Sequence, residues 1–247
     1  MRLLYHGWAG RAVWRQEMSV SGTGAELRLV APGEAIGAAS GVRAGTGALI
    51  QGSEIIATRL GWVQQLNGVI SVDPVNAAYM PRSGDLVIGV VESVRNNLWF
   101  ADVNGPFNGL LPMSLAPWKV EFGAAREQMD VGDVMLARVQ EVDEAHNVVL
   151  TMKGVGLRRL KEGVMSKISM NLISRLRGEN DETLRSLKEA SDCRIIVAEN
   201  GRVWVDGGED GTAFMRKVLD LVRNQGHMAN FSQSLATLMN DAPGGVA

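Results

Sequence analysis

Two aromatic residues, Trp99 and Phe107, lie in neighbouring short segments that are rich in β-branched and aromatic residues. Such composition favours strands. A flat ring on an exposed strand can stack on a nucleobase, a contact that contributes about 1 to 3 kcal/mol per base in single-strand binding. Side chains alternate along a strand, so Trp99 and Phe100 point to opposite faces, one inside and one outside. We expect Phe107 to be exposed and leave both assignments of Trp99 open.

Basic residues form a second candidate set, and their distribution along the chain is uneven. The formal net charge is −2 for the whole chain, yet residues 84–152 hold four basic and ten acidic residues. The four are Arg95, Lys119, Arg126 and Arg138. The next stretch has a single acid, Glu162, among the basic residues Lys153, Arg158, Arg159, Lys161, Lys167, Arg175 and Arg177. Such a concentration of charge can hold phosphates; the alternative is a solvated linker followed by a helix face.

Groups suited to covalent or metal catalysis are scattered in this sequence. His6, His146 and His227 lie far apart, and Cys193 is the single cysteine, which excludes an intramolecular disulfide. Acidic residues at 143–144 and 179–182 fit solvated turns or a helix start better than metal ligands. We predict that the protein is not an enzyme and uses no metal or other cofactor. The cysteine count and the lack of a signal-peptide-like or membrane-spanning apolar run favour the cytoplasm.

Five short strands are predicted to position the two rings. Strand-forming residues occupy 86–94, 98–103, 107–111, 131–142 and 147–152, separated by polar and glycine-rich turns. Five short strands in about seventy residues favour a closed or nearly closed barrel. From residue 26 to the barrel, short strands and turn residues predict a small β domain, with a two-residue hairpin turn at Asn67-Gly68. Residues 1–26 show no clear periodicity.

After the barrel the pattern becomes mixed. It predicts a strand near 164–170, two short helices around a turn at 178–180, a hairpin of 193–198 with 202–206, and a helix over 210–224. The order is β-α-α-β-β-α, and Asn200-Gly201 favours a type I′ hairpin turn. Apolar spacing at Phe231, Leu235 and Leu238 indicates one more short helix, which we expect to pack rather than function.

The segments NGPFNGLLPMS and VVLTMK, together with the Gly-Asp strand openings at residues 84–85 and 132–133, resemble the S1 domain. The resemblance implies a five-stranded OB barrel that binds single-stranded RNA on strands 2 and 3, the positions of Trp99 and Phe107. The segment ISRLRGENDETLRSLKEASDCRIIVAENGRVWVDG is similar to a type I KH domain. That family grips nucleotides through a GXXG loop between two helices.

The KH loop is degenerate here, because it reads Gly178, Glu179, Asn180 and Asp181. Its acidic residues, with Glu182, oppose phosphate binding. The alternative is that they suit the start of the next helix, with Asp181 as its cap.

The order of an N-terminal β domain, an S1 domain and a KH domain resembles the RNA-binding cap subunit of the archaeal-type exosome. The fold class is then multidomain and mainly β with a C-terminal α+β part: 1–82 as N-terminal domain, 83–153 as S1 domain, 154–226 as KH domain and 227–247 as tail. The resemblance implies three copies on a ring of RNase PH-like subunits, docked through the N-terminal domain, that recruit single-stranded RNA for degradation or processing. An assembly adaptor that docks proteins, or a translation-related S1 protein, are the alternatives.

Overall fold

Short strands in two sheets build the N-terminal part of the chain. The structure is a computed structural model that describes residues 28–75, 78–119, 121–228 and 230–243; the predicted arm at 1–26 lies outside these residues. The strands are β1 (Arg28–Val30), β2 (Ala35–Ala38), β3 (Arg43–Ala44), β4 (Ala48–Gln51), β5 (Glu54–Ala57), β6 (Gly61–Leu66) and β7 (Val69–Pro74). Their order is β1-β6-β7-β3 in one sheet and β2-β5-β4 in the other.

The hairpin of β6 and β7 confirms the turn predicted at Asn67-Gly68. Leu66 pairs with Val69 across a two-residue loop. Asn67 and Gly68 both have positive φ, 50° and 72°, which is the conformation that a type I′ turn requires and that asparagine and glycine tolerate best.

A closed five-stranded barrel follows, as predicted. Its strands are β8 (Leu86–Val94), β9 (Leu98–Asp102), β10 (Gly109–Pro112), β11 (Val134–Val142) and β12 (Val148–Thr151). They are ordered β12-β10-β9-β8-β11, and pairing of β12 with β11 closes the barrel. Helix α1 (Ala125–Gln128) precedes β11. Strand β13 (Arg158–Leu160) pairs antiparallel with the first three residues of β11. The third strand begins at Gly109, so Phe107 lies in the loop before it rather than on a strand.

Strand directions place two groups of loops at opposite ends of the barrel. One group, which we call the lysine end, comprises residues 95–97, 113–119 and 152–153. It is joined by hydrogen bonds from Met113 N to Asn97 O (3.0 Å) and from Met152 N to Leu115 O (2.9 Å). The other group, the phenylalanine end, comprises the β9–β10 loop at 103–108 and the β11–β12 turn at 143–147.

The C-terminal part has the predicted β-α-α-β-β-α order. Its elements are β14 (Val164–Lys167), α2 (Ile173–Arg177), α3 (Glu182–Ser191), β15 (Arg194–Val197), β16 (Arg202–Asp206) and α4 (Glu209–Gln225). The sheet order is β14-β16-β15. A last helix, α5 (Phe231–Met239), packs Phe231 and Leu235 into the same core, as its apolar spacing predicted. Among the described residues, every helix is too short or too polar to cross a membrane.

The β15–β16 hairpin attaches this C-terminal part to the barrel. Asn200 is fully buried, and its Nδ2 donates to Ile88 O (2.9 Å) and Val103 O (2.8 Å). Arg202, also buried, donates to Ile88 O (3.0 Å) and forms an ion pair with Asp102. The type I′ prediction for this hairpin is wrong, because only Gly201 of the Asn-Gly pair has a positive φ (74°). The turn instead directs the Asn200 amide into the barrel wall.

Candidate nucleic-acid interface

Trp99 lies inside the barrel, which decides between the two assignments. It is fully buried, and its Nε1 donates to Met129 O at 3.0 Å. Its placement as an RNA-stacking residue is therefore wrong: the alternation along β9 turns this ring into the core, where it packs with residues such as Val87 and Leu111. Phe100 takes the outer face and is partly exposed.

Phe107 is exposed, as expected, but it lies on a loop. Its ring is 43% exposed and lies parallel to His146, with centroids 5.3 Å apart and an angle of 8° between the planes. His146 has a positive φ of 62° in the β11–β12 turn, which brings its ring toward Phe107. Sequence reasoning missed His146, since nothing local indicates that two loops meet. The pair presents flat rings at the phenylalanine end, a geometry that suits base stacking.

The four basic residues of the barrel do not form one cluster. Arg95, Lys119 and Arg126 are exposed on loops or α1 near the lysine end, where Arg126 pairs with Asp130 at 2.9 Å. Arg138 lies on β11 and donates to Gly84 O, two residues before β8 begins. Lys153 joins the lysine end from the end of β12.

The basic stretch after the barrel is partly neutralised within the chain. Arg159 pairs with Asp133 (2.6 Å) and donates to Gln128 O (2.9 Å). Arg177 pairs with Glu199 at 3.0 Å. These two arginines contact acidic side chains and a carbonyl of the chain itself, and their RNA-binding role stays a prediction. Arg158 and Lys161 are exposed on and beside β13.

Arg175 lies in a cleft of about 470 Å³ between the N-terminal sheets and the C-terminal part. The cleft also contains Trp62, whose ring stacks on His227 with centroids 5.7 Å apart. Arg175 is half-buried there, so it is less accessible to a polymeric ligand than Arg158 or Lys161.

The degenerate KH loop joins α2 to α3. Gly178, Asn180 and Asp181 have positive φ values of 71°, 50° and 60°. Asp181 occupies the N-cap position of α3, as predicted, but its side chain makes no cap hydrogen bond. The adjoining groove of about 770 Å³ is lined on one side by this loop and on the other by the chain's own Tyr79 and Met80. Burial and a hydrogen bond to Asp85 raise the pKa of the Tyr79 phenol, which stays neutral there.

The ion pair between Arg202 and Asp102 holds the barrel and the C-terminal part in one arrangement. Burial opposes ionisation of Asp102, but the Asn104 N–H (2.7 Å) and the Arg202 guanidinium together lower the pKa of this carboxyl below its ordinary range. The carboxylate is therefore charged at neutral pH, and the interface between the two parts is an electrostatic as well as an apolar contact.

The chain is similar to known proteins over most of its length. A family model described as a KH domain matches residues 163–211. An exosome complex component Rrp4 from Methanobrevibacter smithii is 32% identical over 211 residues, covering 84% of this chain and 69% of that protein. One from Picrophilus torridus is 30% identical over 221 residues, covering 89% and 96%. This chain belongs to the Rrp4 family of exosome complex components.

Structural comparison agrees with that assignment. A crystal structure provisionally assigned as an exosome complex RNA-binding protein superposes with a TM-score of 0.60 at 27% identity. The match covers 67% of this chain and 97% of that one. Family membership confirms the resemblance drawn from the segment order, and it also confirms the predicted mainly-β fold with a C-terminal KH domain.

Proposed function

We propose that this Rrp4-family chain is a non-catalytic RNA-binding cap subunit of the exosome. In this role it recruits single-stranded RNA and threads it into a 3′-to-5′ exoribonuclease ring of RNase PH-like subunits. The observation that carries the proposal is the S1-type barrel with an exposed Phe107–His146 ring pair, fixed to a KH domain by the β15–β16 hairpin. The names of the relatives, exosome complex component Rrp4, support the assembly. The proposed setting is the cytoplasm, with three copies per complex.

The proposed RNA contact is led by stacking and by a few exposed cations. The barrel region carries ten acidic residues against four basic ones, so its average potential does not attract RNA. In this proposal, local contacts offset the repulsion between the acidic barrel and RNA. Phe107 supplies stacking at one end of the barrel, and Lys119 with Lys153 supply positive charge at the other. Arg158 and Lys161 add exposed positive charge next to β11.

Docking to the ring is proposed for the N-terminal sheets. These expose Leu29, Leu49, Ile50 and Leu60, with relative exposures from 47% to 54%. Covering exposed apolar side chains with a protein partner removes them from water, which supports docking through these sheets. We propose the boundaries 1–82, 83–153 and 154–226 for the three domains, with α5 of the 227–247 segment packed on the last.

An assembly adaptor without RNA contact is the second candidate. The acidic barrel favours it, as does the groove beside the KH loop, which the chain's own Tyr79 and Met80 help to line. Both functions require the N-terminal sheets to dock on a protein partner, so only a measurement of RNA binding distinguishes them.

A binding titration with labelled single-stranded RNA tests the proposal. We expect the logarithm of the association constant to fall linearly with the logarithm of salt concentration, by about 0.7 for each phosphate contacted. Phe107→Ala should weaken binding if stacking contributes, and Arg158→Ala with Lys161→Ala, two exposed cations, should weaken it if the junction contributes. No binding by the unaltered chain, alone or on the assembled ring, would favour the adaptor.

Ring docking needs its own experiment with purified RNase PH-like subunits. Leu49→Ser with Ile50→Ser should abolish co-elution with the ring. Val155→Ser is the matched control, because Val155 is fully exposed on a loop far along the chain. Co-elution that persists in the double variant would place the docking surface elsewhere.

A further inference from the structure

An open cleft of about 430 Å³ lies at the lysine end of the barrel. Its apolar wall consists of Met113, Ala116, Pro117 and Trp118, and its charged rim consists of Lys119 and Lys153. Phe107 and His146 are at the opposite end of the barrel, so the cleft is separate from the ring pair described above.

Backbone hydrogen bonds tie both sides of the cleft to the barrel. The segment after β10 is held by Met113 N donating to Asn97 O (3.0 Å), and the end of β12 by Met152 N donating to Leu115 O (2.9 Å). Lys153 N donates to Thr151 Oγ1 at 3.1 Å. Trp118 is partly buried and packs against the barrel core, which restrains the indole. A preorganised ring loses little entropy when a ligand stacks on it.

Charge on the rim is available to a ligand. Lys119 and Lys153 are both exposed, and neither forms an ion pair with a residue that the structure describes. Phe122, three residues beyond Lys119, is 78% exposed on the same loop. Gly123 N donates to Asn96 O (3.1 Å), which keeps this loop against the β8–β9 turn. Two cations beside an apolar wall and exposed aromatic rings suit a ligand that is both flat and anionic.

We infer that this cleft is a nucleotide subsite for single-stranded RNA, in which a base packs on Trp118 and the adjoining phosphate lies between Lys119 and Lys153. The inference rests on the proposed RNA-binding function and adds a second contact point to it. RNA that occupies both the cleft and the Phe107–His146 pair runs along the barrel from one end to the other. The two lysines offset part of the negative charge of the acidic barrel.

The test is fluorescence anisotropy of the full chain with a labelled oligouridine RNA at several salt concentrations. Lys119→Gln with Lys153→Gln should weaken binding and reduce the salt slope by about 0.7, since the contact with the one phosphate between the two lysines is lost. Trp118→Leu should weaken binding about five- to hundredfold. Lys188→Gln with Lys217→Gln, on exposed faces of α3 and α4, is the charge-matched control and should change neither quantity.

The outcomes separate the subsite from the proposed function. If the unaltered chain binds RNA while the cleft variants keep its affinity and slope, the subsite is refuted and RNA binding stands. If the unaltered chain binds no RNA, both fail together. Trp118→Phe keeps a ring and should retain most of the affinity, so a loss equal to that of Trp118→Leu would point to misfolding of the loop instead of stacking and would count against the subsite. If free uridine monophosphate displaced the labelled RNA as effectively as unlabelled RNA does, the cleft would be a site for a single nucleotide and the proposed RNA subsite would be refuted.

Discussion

Neutralising Asp102 should destabilise the protein far more than neutralising Asp206, although the two carboxylates are equally exposed. Asp102 and Asp206 have side-chain exposures of 32% and 33%, and each pairs with an arginine of the β15–β16 hairpin. The arginines differ. Arg202 is 1% exposed, whereas Arg194 is 82% exposed. Asp102→Asn therefore leaves a buried guanidinium without its counter-charge, and Asp206→Asn leaves a solvated one.

The expected magnitudes follow from that difference. Removing one partner of a buried ion pair costs about 3 to 5 kcal/mol of unfolding free energy. We place Asp102→Asn near the lower value, about 3 kcal/mol, because the Ile88 and Asp102 carbonyls still accept from Arg202. The Arg194–Asp206 contact is long at 3.9 Å and solvated, so Asp206→Asn should cost less than about 1 kcal/mol.

Urea unfolding of the two variants and of Arg202→Met with Asp102→Asn checks this reasoning. The double variant should recover part of the stability lost in Asp102→Asn, because it removes the unpaired buried charge. Two results would refute the argument that burial of the guanidinium decides the cost. One is an equal loss of unfolding free energy in Asp102→Asn and Asp206→Asn. The other is a double variant that is less stable than Asp102→Asn alone.

Three further outcomes are expected. Trp99→Ala should lower the unfolding free energy by about 3 to 5 kcal/mol through a cavity and the lost bond to Met129, measured by urea unfolding. Phe107→Ala should change stability by less than about 1 kcal/mol, because its ring is 43% exposed, while RNA affinity falls about five- to hundredfold in anisotropy. The folded pKa of Asp102 is lowered, so its stabilisation is present above the unfolded pKa of about 4 and is lost as pH falls through the folded pKa. Melting temperature should therefore drop on acidification by less in Asp102→Asn than in the unaltered chain.

Much of the fold could be predicted because its signals are local. The five barrel strands, the Asn67-Gly68 turn and the β-α-α-β-β-α order all arise from propensities and turn chemistry within a few residues. The third barrel strand was placed two residues early, since Phe107 has strand propensity but lies in a loop. The Asn200-Gly201 turn was misassigned because a buried amide contact with the barrel, not local preference, decides its conformation.

The candidate interface was less predictable, since it depends on which residues meet. Arg159 and Arg177 were grouped with the exposed cations by their position in a basic stretch, yet their partners Asp133 and Glu199 lie on other elements. His146 could not be linked to Phe107 until the barrel closed and brought two loops to one end. The KH loop was recognised as degenerate from residue types alone, because charge at those positions is visible in the sequence.

The sequence by itself determined the order of the three folded parts and their family, since segment patterns and turn residues survive at about 30% identity. Only the tertiary structure decided that Trp99 faces the core and that Lys119 and Lys153 flank a cleft. It also showed that Arg202 is buried against Asp102, a residue 100 positions away. The physical reason is that strand alternation defines two faces without saying which is inside, and that burial and ion pairing depend on neighbours that become close only when the chain folds.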